Sequence, residues 1–131
     1  MNRKGFIDFN TRLSPENSGK ADSYARAIEI LDNVLPYQNT IDLHGLSLYE
    51  VNNIVVLEQI WDLVKEEVKK MKEGLPNIFD YGKPNQRSYP LNNFCSAALS
   101  SLIEYAQFEG AEMIVRKESN PRTISTKLIK Y

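Results

Sequence analysis

The fold of this chain is decided by residues 18–35, which read SGKADSYARAIEILDNVL. Apolar side chains recur here every three or four residues, the spacing of one face of an α-helix. Pro36 follows directly and predicts the end of the helix, because proline lacks a backbone donor. The stretch therefore predicts an amphipathic helix that packs on a core through Tyr24, Ala27, Ile28, Leu31, Val34 and Leu35.

Similar patterns lie on both sides of this helix. Phe6, Phe9 and Leu13 predict a short opening helix before a break at residues 14–19. Downstream, Ser47 and Glu50 form a capping-box pattern at the start of a long helical stripe that Gly74 and Pro76 end. Asn52 and Asn53 indicate a kink between a short helix and a long one. The stripe comprises Val51, Ile54, Val55, Ile60, Trp61, Val64, Val68 and Met71.

A last helix is predicted to begin near Pro90, which suits a first turn because its missing amide would have no partner there. Gly110 is its predicted C-cap, and residues 111–131 predict a hairpin or a tail. The fold class is therefore mainly α, a compact bundle of four to five helices. The predicted inner face of the last helix is Leu91, Phe94, Cys95, Ala98, Leu102, Tyr105 and Ala106.

Charge is unevenly distributed along the 131 residues. The net charge is −1, but residues 42–80 carry eight acidic and four basic side chains, whereas residues 111–131 carry five basic and two acidic ones. A domain that grips nucleic acid alone is usually more basic, because phosphate neutralisation supplies most nonspecific affinity. A single cysteine and the lack of a long apolar run predict a cytoplasmic protein without a disulfide or a membrane span.

The chain contains few candidate catalytic residues. His44 is the only histidine, which excludes metal sites that need two imidazoles, and we expect no metal and no cofactor. Asp42 and His44 could act as a general acid–base pair only if residues 40–45 form a strand that places both on one face. The sequence is equally consistent with a loop there. Cys95 lies on the predicted inner face of a helix, where a cysteine acts as a small apolar side chain.

Two clusters of basic and hydroxyl side chains stand near predicted helix starts. Free amides at such an end favour an anion such as a DNA phosphate. The candidate DNA-binding residues are Lys20, Ser23 and Arg26 in the first cluster and Lys83, Arg87 and Ser88 in the second.

Taken together, the two helix starts resemble a known domain. Ser23-Tyr24 with Ala27-Ile28, then Ser88-Tyr89, the run FCSAAL at residues 94–99 and Glu104-Tyr105 are similar to the N-terminal helical domain that precedes HNH-type nuclease domains in bacterial restriction endonucleases. The resemblance covers about residues 15–110. It implies recognition of double-stranded DNA, with cleavage by a linked or separate nuclease domain.

The same resemblance divides the chain into residues 1–110, a helical recognition domain, and residues 111–131, a basic C-terminal hairpin or linker. No His-Asn-His constellation occurs, so no catalytic role is carried onto this chain. The implied function is that of a non-catalytic part of an endonuclease.

Two alternatives stay open. The run IDLHG at residues 41–45, followed by Glu50 and a long helix, is similar to the opening of the Smr domain, an α/β nuclease module. That resemblance implies functional Asp42 and His44, a second strand at residues 77–81 and closing strands in residues 111–131. A protein-interaction module that docks through the acidic face of the long helix is the other alternative.

Overall fold

The computed structural model describes residues 1–117, and for Ser18 and residues 111–117 it describes the backbone alone. Five α-helices form a compact bundle in this part of the chain, which contains no strand, so the predicted mainly α fold is confirmed. Short 3₁₀ helices join them at Leu35–Tyr37, Leu48–Glu50, Ile78–Tyr81 and Pro84–Gln86. The helices are α1 (Arg3–Leu13), α2 (Ser18–Val34), α3 (Ile54–Lys72), α4 (Ser88–Leu91) and α5 (Phe94–Lys117).

Helices α1 and α2 form an antiparallel pair. The Arg3 Nε at the start of α1 lies 2.7 Å from Glu29 Oε1 in the second half of α2. Buried Asn10 ties α1 to α5, because its Oδ1 accepts a 2.7 Å hydrogen bond from Ser101 Oγ. Its Nδ2 donates to the Phe6 carbonyl, so both ends of this buried amide are paired.

Helix α3 begins and ends as the sequence predicts. Ser47 and Glu50 form the capping box of the short Leu48–Glu50 helix, and Asn53 caps α3 by accepting from the amides of Val55 and Val56. At the other end Gly74 has a φ of 75°, and the Leu75 amide donates to the Lys70 carbonyl. This is a Schellman ending, in which glycine takes the left-handed position.

The last predicted helix is divided in two. Pro90 belongs to the four-residue α4, and Asn93, with a φ of 64°, separates it from the 24-residue α5. Leu91 and Phe94 stand at this break and are 41% and 36% exposed, so their predicted place on the inner face is wrong. The predicted C-cap at Gly110 is also wrong, since α5 continues through it to Lys117.

The domain boundary predicted after residue 110 falls inside α5. Residues 111–117 are helical, and the division of the chain into a recognition domain and a C-terminal hairpin or linker stays a prediction. The rest of that prediction, residues 118–131, lies outside the described residues.

Helix α5 packs against both α2 and α3 and completes the core. Tyr105 on α5 contacts Phe6 and Phe9 of α1 through its ring, with centroids 6.0 and 5.3 Å apart. Burial of large apolar side chains supplies the main driving force for such a bundle. The large, fully buried side chains are Phe6, Ile28, Leu31, Val34, Leu35, Leu48, Leu57, Ile60, Val64, Leu99 and Leu102.

Candidate functional site

The first predicted DNA-binding cluster runs along the first half of a long helix, starting at its N-terminal end. Helix α2 has 17 residues, no acidic side chain in its first turn and no side-chain hydrogen bond from its N-cap residue Asn17. Its first amides therefore have no carboxylate beside them, and the helix dipole adds partial positive charge. Such an end can hold an anion if cationic side chains converge on it.

Lys20, Ser23 and Arg26 follow one another at intervals of three residues, which places neighbours in this row within reach of each other. Arg26 is exposed, while Lys20 and Ser23 are half-buried. The Lys20 ammonium stands 5.5 Å from the centroid of the Tyr24 ring, so the side chain is held near the helix surface.

The neighbourhood of this row also includes acidic groups. Asp22 and Glu29 lie four residues before and three residues after Arg26, at helical neighbour spacing. Glu29 is already paired with Arg3. The local charge is therefore mixed and suits contact with one or two phosphates better than a long backbone footprint.

The second predicted cluster lacks the helix end that its prediction assumed. Lys83, Arg87 and Ser88 are exposed, but they precede the four-residue α4, too short to carry a sizeable dipole. The long helix starts only at Phe94. Arg87 Nη1 also lies 3.8 Å from Asp80 Oδ1, so a carboxylate partly offsets its charge.

The structure does not bring the two clusters together. Gly82, just before the second cluster, lies beside Val34, the last residue of α2. Lys20 stands at the opposite end of that helix, and 14 residues at a rise of about 1.5 Å each separate the two positions by roughly 21 Å. The clusters are two separate surfaces rather than one basic patch.

Asp42 and His44 form a local turn on the surface. The His44 amide donates to Asp42 Oδ1 at 2.8 Å, and His44 Nδ1 lies 3.4 Å from Asp42 Oδ2. His44 has a φ of 53°, and both side chains are about three-quarters exposed. The carboxylate thus stabilises its own turn, and the segment is a loop rather than a strand.

The strands that the Smr resemblance implies are not formed in the described part of the chain. Residues 40–45 are a loop, residues 78–81 are a 3₁₀ helix and residues 111–117 belong to α5. The reason is local: Asn77 and Asp80 form a capping box that favours a helical turn where a strand was implied.

Cys95 is fully buried, as predicted. Burial raises the pKa of its thiol to about 12, because the charged thiolate loses its hydration. A nucleophilic cysteine needs the opposite shift. Cys95 is therefore a packing residue of α5.

The loop that carries His44 is anchored by Asp32 on α2. Asp32 Oδ2 accepts from Ser47 Oγ at 2.7 Å and Oδ1 accepts from the Leu48 amide at 2.9 Å. Burial raises the pKa of the Asp32 carboxyl above 3.8, although these two hydrogen bonds lower it. Asp32, His44 and Glu50 contribute to the lining of an open cleft of about 630 Å³.

We expect Asp32→Asn to change how stability depends on pH. A carboxyl whose pKa is raised on folding binds its proton more tightly in the folded chain, so it favours folding at low pH and loses that contribution as pH rises from 3.8 through its folded pKa. Urea unfolding of both proteins between pH 3.5 and 6.5 checks this. Stability of the wild type relative to Asp32→Asn should rise toward low pH, and a parallel pair of curves would contradict it.

An exposed pair of stacked tyrosines was not predicted from the sequence. The rings of Tyr37 and Tyr81 are 3° from parallel with centroids 4.4 Å apart, and the two residues are 59% and 63% exposed. Tyr37 ends the 3₁₀ helix after α2, and Tyr81 ends the one that Asn77 caps. The capping pattern of Asn77 and Asp80 was a visible signal for that turn, but no sequence spacing links Tyr37 to Tyr81.

Residues 1–117 contain neither a metal-binding cluster nor a membrane-spanning helix. Within that range no group of three or more His, Cys, Asp or Glu side chains is arranged to hold a metal ion. None of the described helices combines the length and apolar character needed to cross a membrane. Comparisons with protein-family models, curated proteins and solved structures found no match to this chain.

Proposed function

We propose that this chain is a non-catalytic DNA-recognition domain of a restriction-type endonuclease, which meets phosphate through the start of α2. The observation that carries the proposal is the N-terminal end of α2, which has no carboxylate in its first turn, with Lys20 in that turn and Ser23 and Arg26 about one and two turns further along. Helix amides and two cations acting together are a recurrent way of holding a phosphate oxygen.

The resemblance of residues 15–110 to the helical domain ahead of HNH nucleases supports the same function. Cleavage then belongs to a separate or linked nuclease domain, which this chain positions on double-stranded DNA. Such a role places the chain in the bacterial cytoplasm, where a lone cysteine stays reduced.

Binding by this domain alone should be weak. The chain carries a net charge of −1, and the acidic side chains of residues 42–80 repel the DNA backbone outside the contact. In this proposal Lys20 and Arg26 pair with the phosphates, and Ser23 donates a supporting hydrogen bond. Lys83, Arg87 and Ser88 stay a prediction, and the helix that begins beside them, α4, has only four residues.

Fluorescence anisotropy of a labelled duplex, titrated with the full chain at several salt concentrations, tests the proposal. Lys20→Ala/Arg26→Ala should lower the affinity and reduce the slope of log affinity against log salt by about 2, since each lost phosphate contact removes about one counterion. Lys4→Ala/Lys69→Ala is the matched control, because it removes two exposed cations elsewhere. Equal losses in both variants, or no binding at low salt, would refute the proposal.

A further inference from the structure

A second surface carries charge opposite to that of Lys20 and Arg26 on α2. An open cleft of about 890 Å³ lies between α3 and the segments 37–41 and 76–81, and the stacked pair Tyr37 and Tyr81 contributes to its wall. We call it the α3 cleft. Its charged lining consists of four carboxylates, Asp62, Glu66, Glu67 and Asp80, and one ammonium, that of Lys70.

The carboxylates differ in how far they are already engaged. Glu67 is buried and accepts from the Ile78 amide at 3.0 Å and from Lys70 Nζ at 2.6 Å, so the one ammonium of the cleft is engaged mainly by Glu67. Asp62 is exposed and lies 3.3 Å from Lys65. Glu66 is exposed and has no hydrogen bond or ion pair among the described residues. The cleft therefore keeps excess negative charge open to solvent.

The two tyrosines are exposed, but the backbone that carries each of them is fixed in a short 3₁₀ turn. Pro36 fixes the turn that carries Tyr37, and Tyr81 ends a turn secured by the Asn77 capping box and by the bond from the Ile78 amide to Glu67. Ring faces that are already ordered lose little conformational entropy on binding. Tyrosine is also enriched among the residues that dominate binding at protein interfaces.

Charge decides which partner suits these rings. Stacked aromatic rings alone would serve nucleic-acid bases, but phosphates would meet the carboxylates of Asp62 and Glu66, and in the described part of the chain only Asp80 has an arginine, Arg87, within 4 Å. A cationic side chain gains from both features, since the guanidinium of arginine packs on aromatic faces and pairs with carboxylates. We propose that the α3 cleft binds an arginine- or lysine-bearing peptide segment of a partner protein.

The test uses the full chain and a fluorescein-labelled heptapeptide of alternating glycine and arginine, with the glycine–glutamate peptide as its charge-reversed control. The arginine peptide should bind at low salt and the glutamate peptide should not. Asp62→Asn/Glu66→Gln should weaken binding about fivefold. The double variant removes two exposed ion pairs, and each of them contributes less than about 1.4 kcal/mol, the free energy that corresponds to a tenfold change in affinity. Tyr81→Ala should weaken it similarly, and Tyr81→Phe should keep most of the affinity.

Two control variants separate this site from general attraction. Glu58→Gln/Glu104→Gln removes two exposed carboxylates outside the cleft and should leave peptide affinity within twofold. Lys20→Ala/Arg26→Ala should leave it unchanged, so the DNA proposal and this one succeed or fail independently. Circular dichroism confirms that each variant folds.

Three results would overturn the proposal. The first is no binding of the arginine peptide at low salt. The second is an equal loss in the Glu58→Gln/Glu104→Gln control. The third is a single-stranded oligonucleotide of thymidines that binds more tightly than the peptide and is released by Tyr81→Ala, which would make the cleft a base-stacking surface.

Discussion

Leu99→Ala should lower the free energy of unfolding by about 3 kcal/mol, within the range of about 2 to 5 kcal/mol typical of large-to-small core substitutions. Leu99 is fully buried on α5, the helix that packs against both α2 and α3. Its truncation removes apolar contacts and leaves a cavity, and α5 cannot move toward both α2 and α3 at once to fill it. For a domain of this size the melting temperature should fall by roughly 10 to 15 °C.

Leu13→Ala is the matched control for this substitution. It makes the same chemical change at the end of α1, where the leucine is 57% exposed. We expect it to change the free energy of unfolding by less than about 1 kcal/mol, because little surface leaves water there. Urea unfolding followed by circular dichroism measures both variants. A loss below about 1 kcal/mol for Leu99→Ala would contradict the packing of α5 described above.

Glu67→Ala should lower the free energy of unfolding by about 3 kcal/mol for a different reason. The substitution removes the acceptor of the buried Ile78 amide, and an unsatisfied buried donor costs about 1 to 3 kcal/mol in addition to the lost charge-assisted bond. The ion pair with Lys70 adds little, since the Lys70 side chain is 41% exposed. The same bond holds the turn that ends at Tyr81.

Glu66→Ala tests that reasoning one residue away. Glu66 is exposed and has no described partner, so the same change should alter stability by less than about 0.5 kcal/mol. Glu67→Gln keeps an oxygen that can accept from the Ile78 amide and should fall between the two. If Glu66→Ala and Glu67→Ala destabilised the chain equally, the bond to Ile78 would not be the cause.

Local pattern was enough to predict most of the helical frame. The stripes of α1, α2 and α3 and the caps at Ser47 and Gly74 follow from spacing and from the backbone preferences of single residues. The break in the last helix was harder to predict, because Asn93 adopts a left-handed conformation. Asparagine tolerates this conformation, but its presence in a sequence does not predict it. Gly110 stays helical, since an interior glycine costs only about 1 kcal/mol.

Surfaces built from distant segments could not be predicted in the same way. Lys20, Ser23 and Arg26 are neighbours in the sequence, so helical spacing alone placed them together. The Tyr37–Tyr81 stack joins residues 44 positions apart and depends on how the segment after α3 packs beside the end of α2. Lys83 and Arg87 were interpreted without their acidic neighbour Asp80, whose position depends on the same packing.

The continuation of α5 through Gly110 has a geometrical consequence. Tyr105 is the last buried side chain on α5 among those described, Phe108 still contacts Phe9 with ring centroids 5.4 Å apart, and the helical backbone goes on for nine residues from Phe108 to Lys117. At a rise of about 1.5 Å per residue these nine residues make a helical segment of roughly 14 Å. A helical segment fixes both the distance and the rotation of the chain that follows it, so deleting one residue would turn that chain by about 100° around the helix axis and shorten the segment by about 1.5 Å.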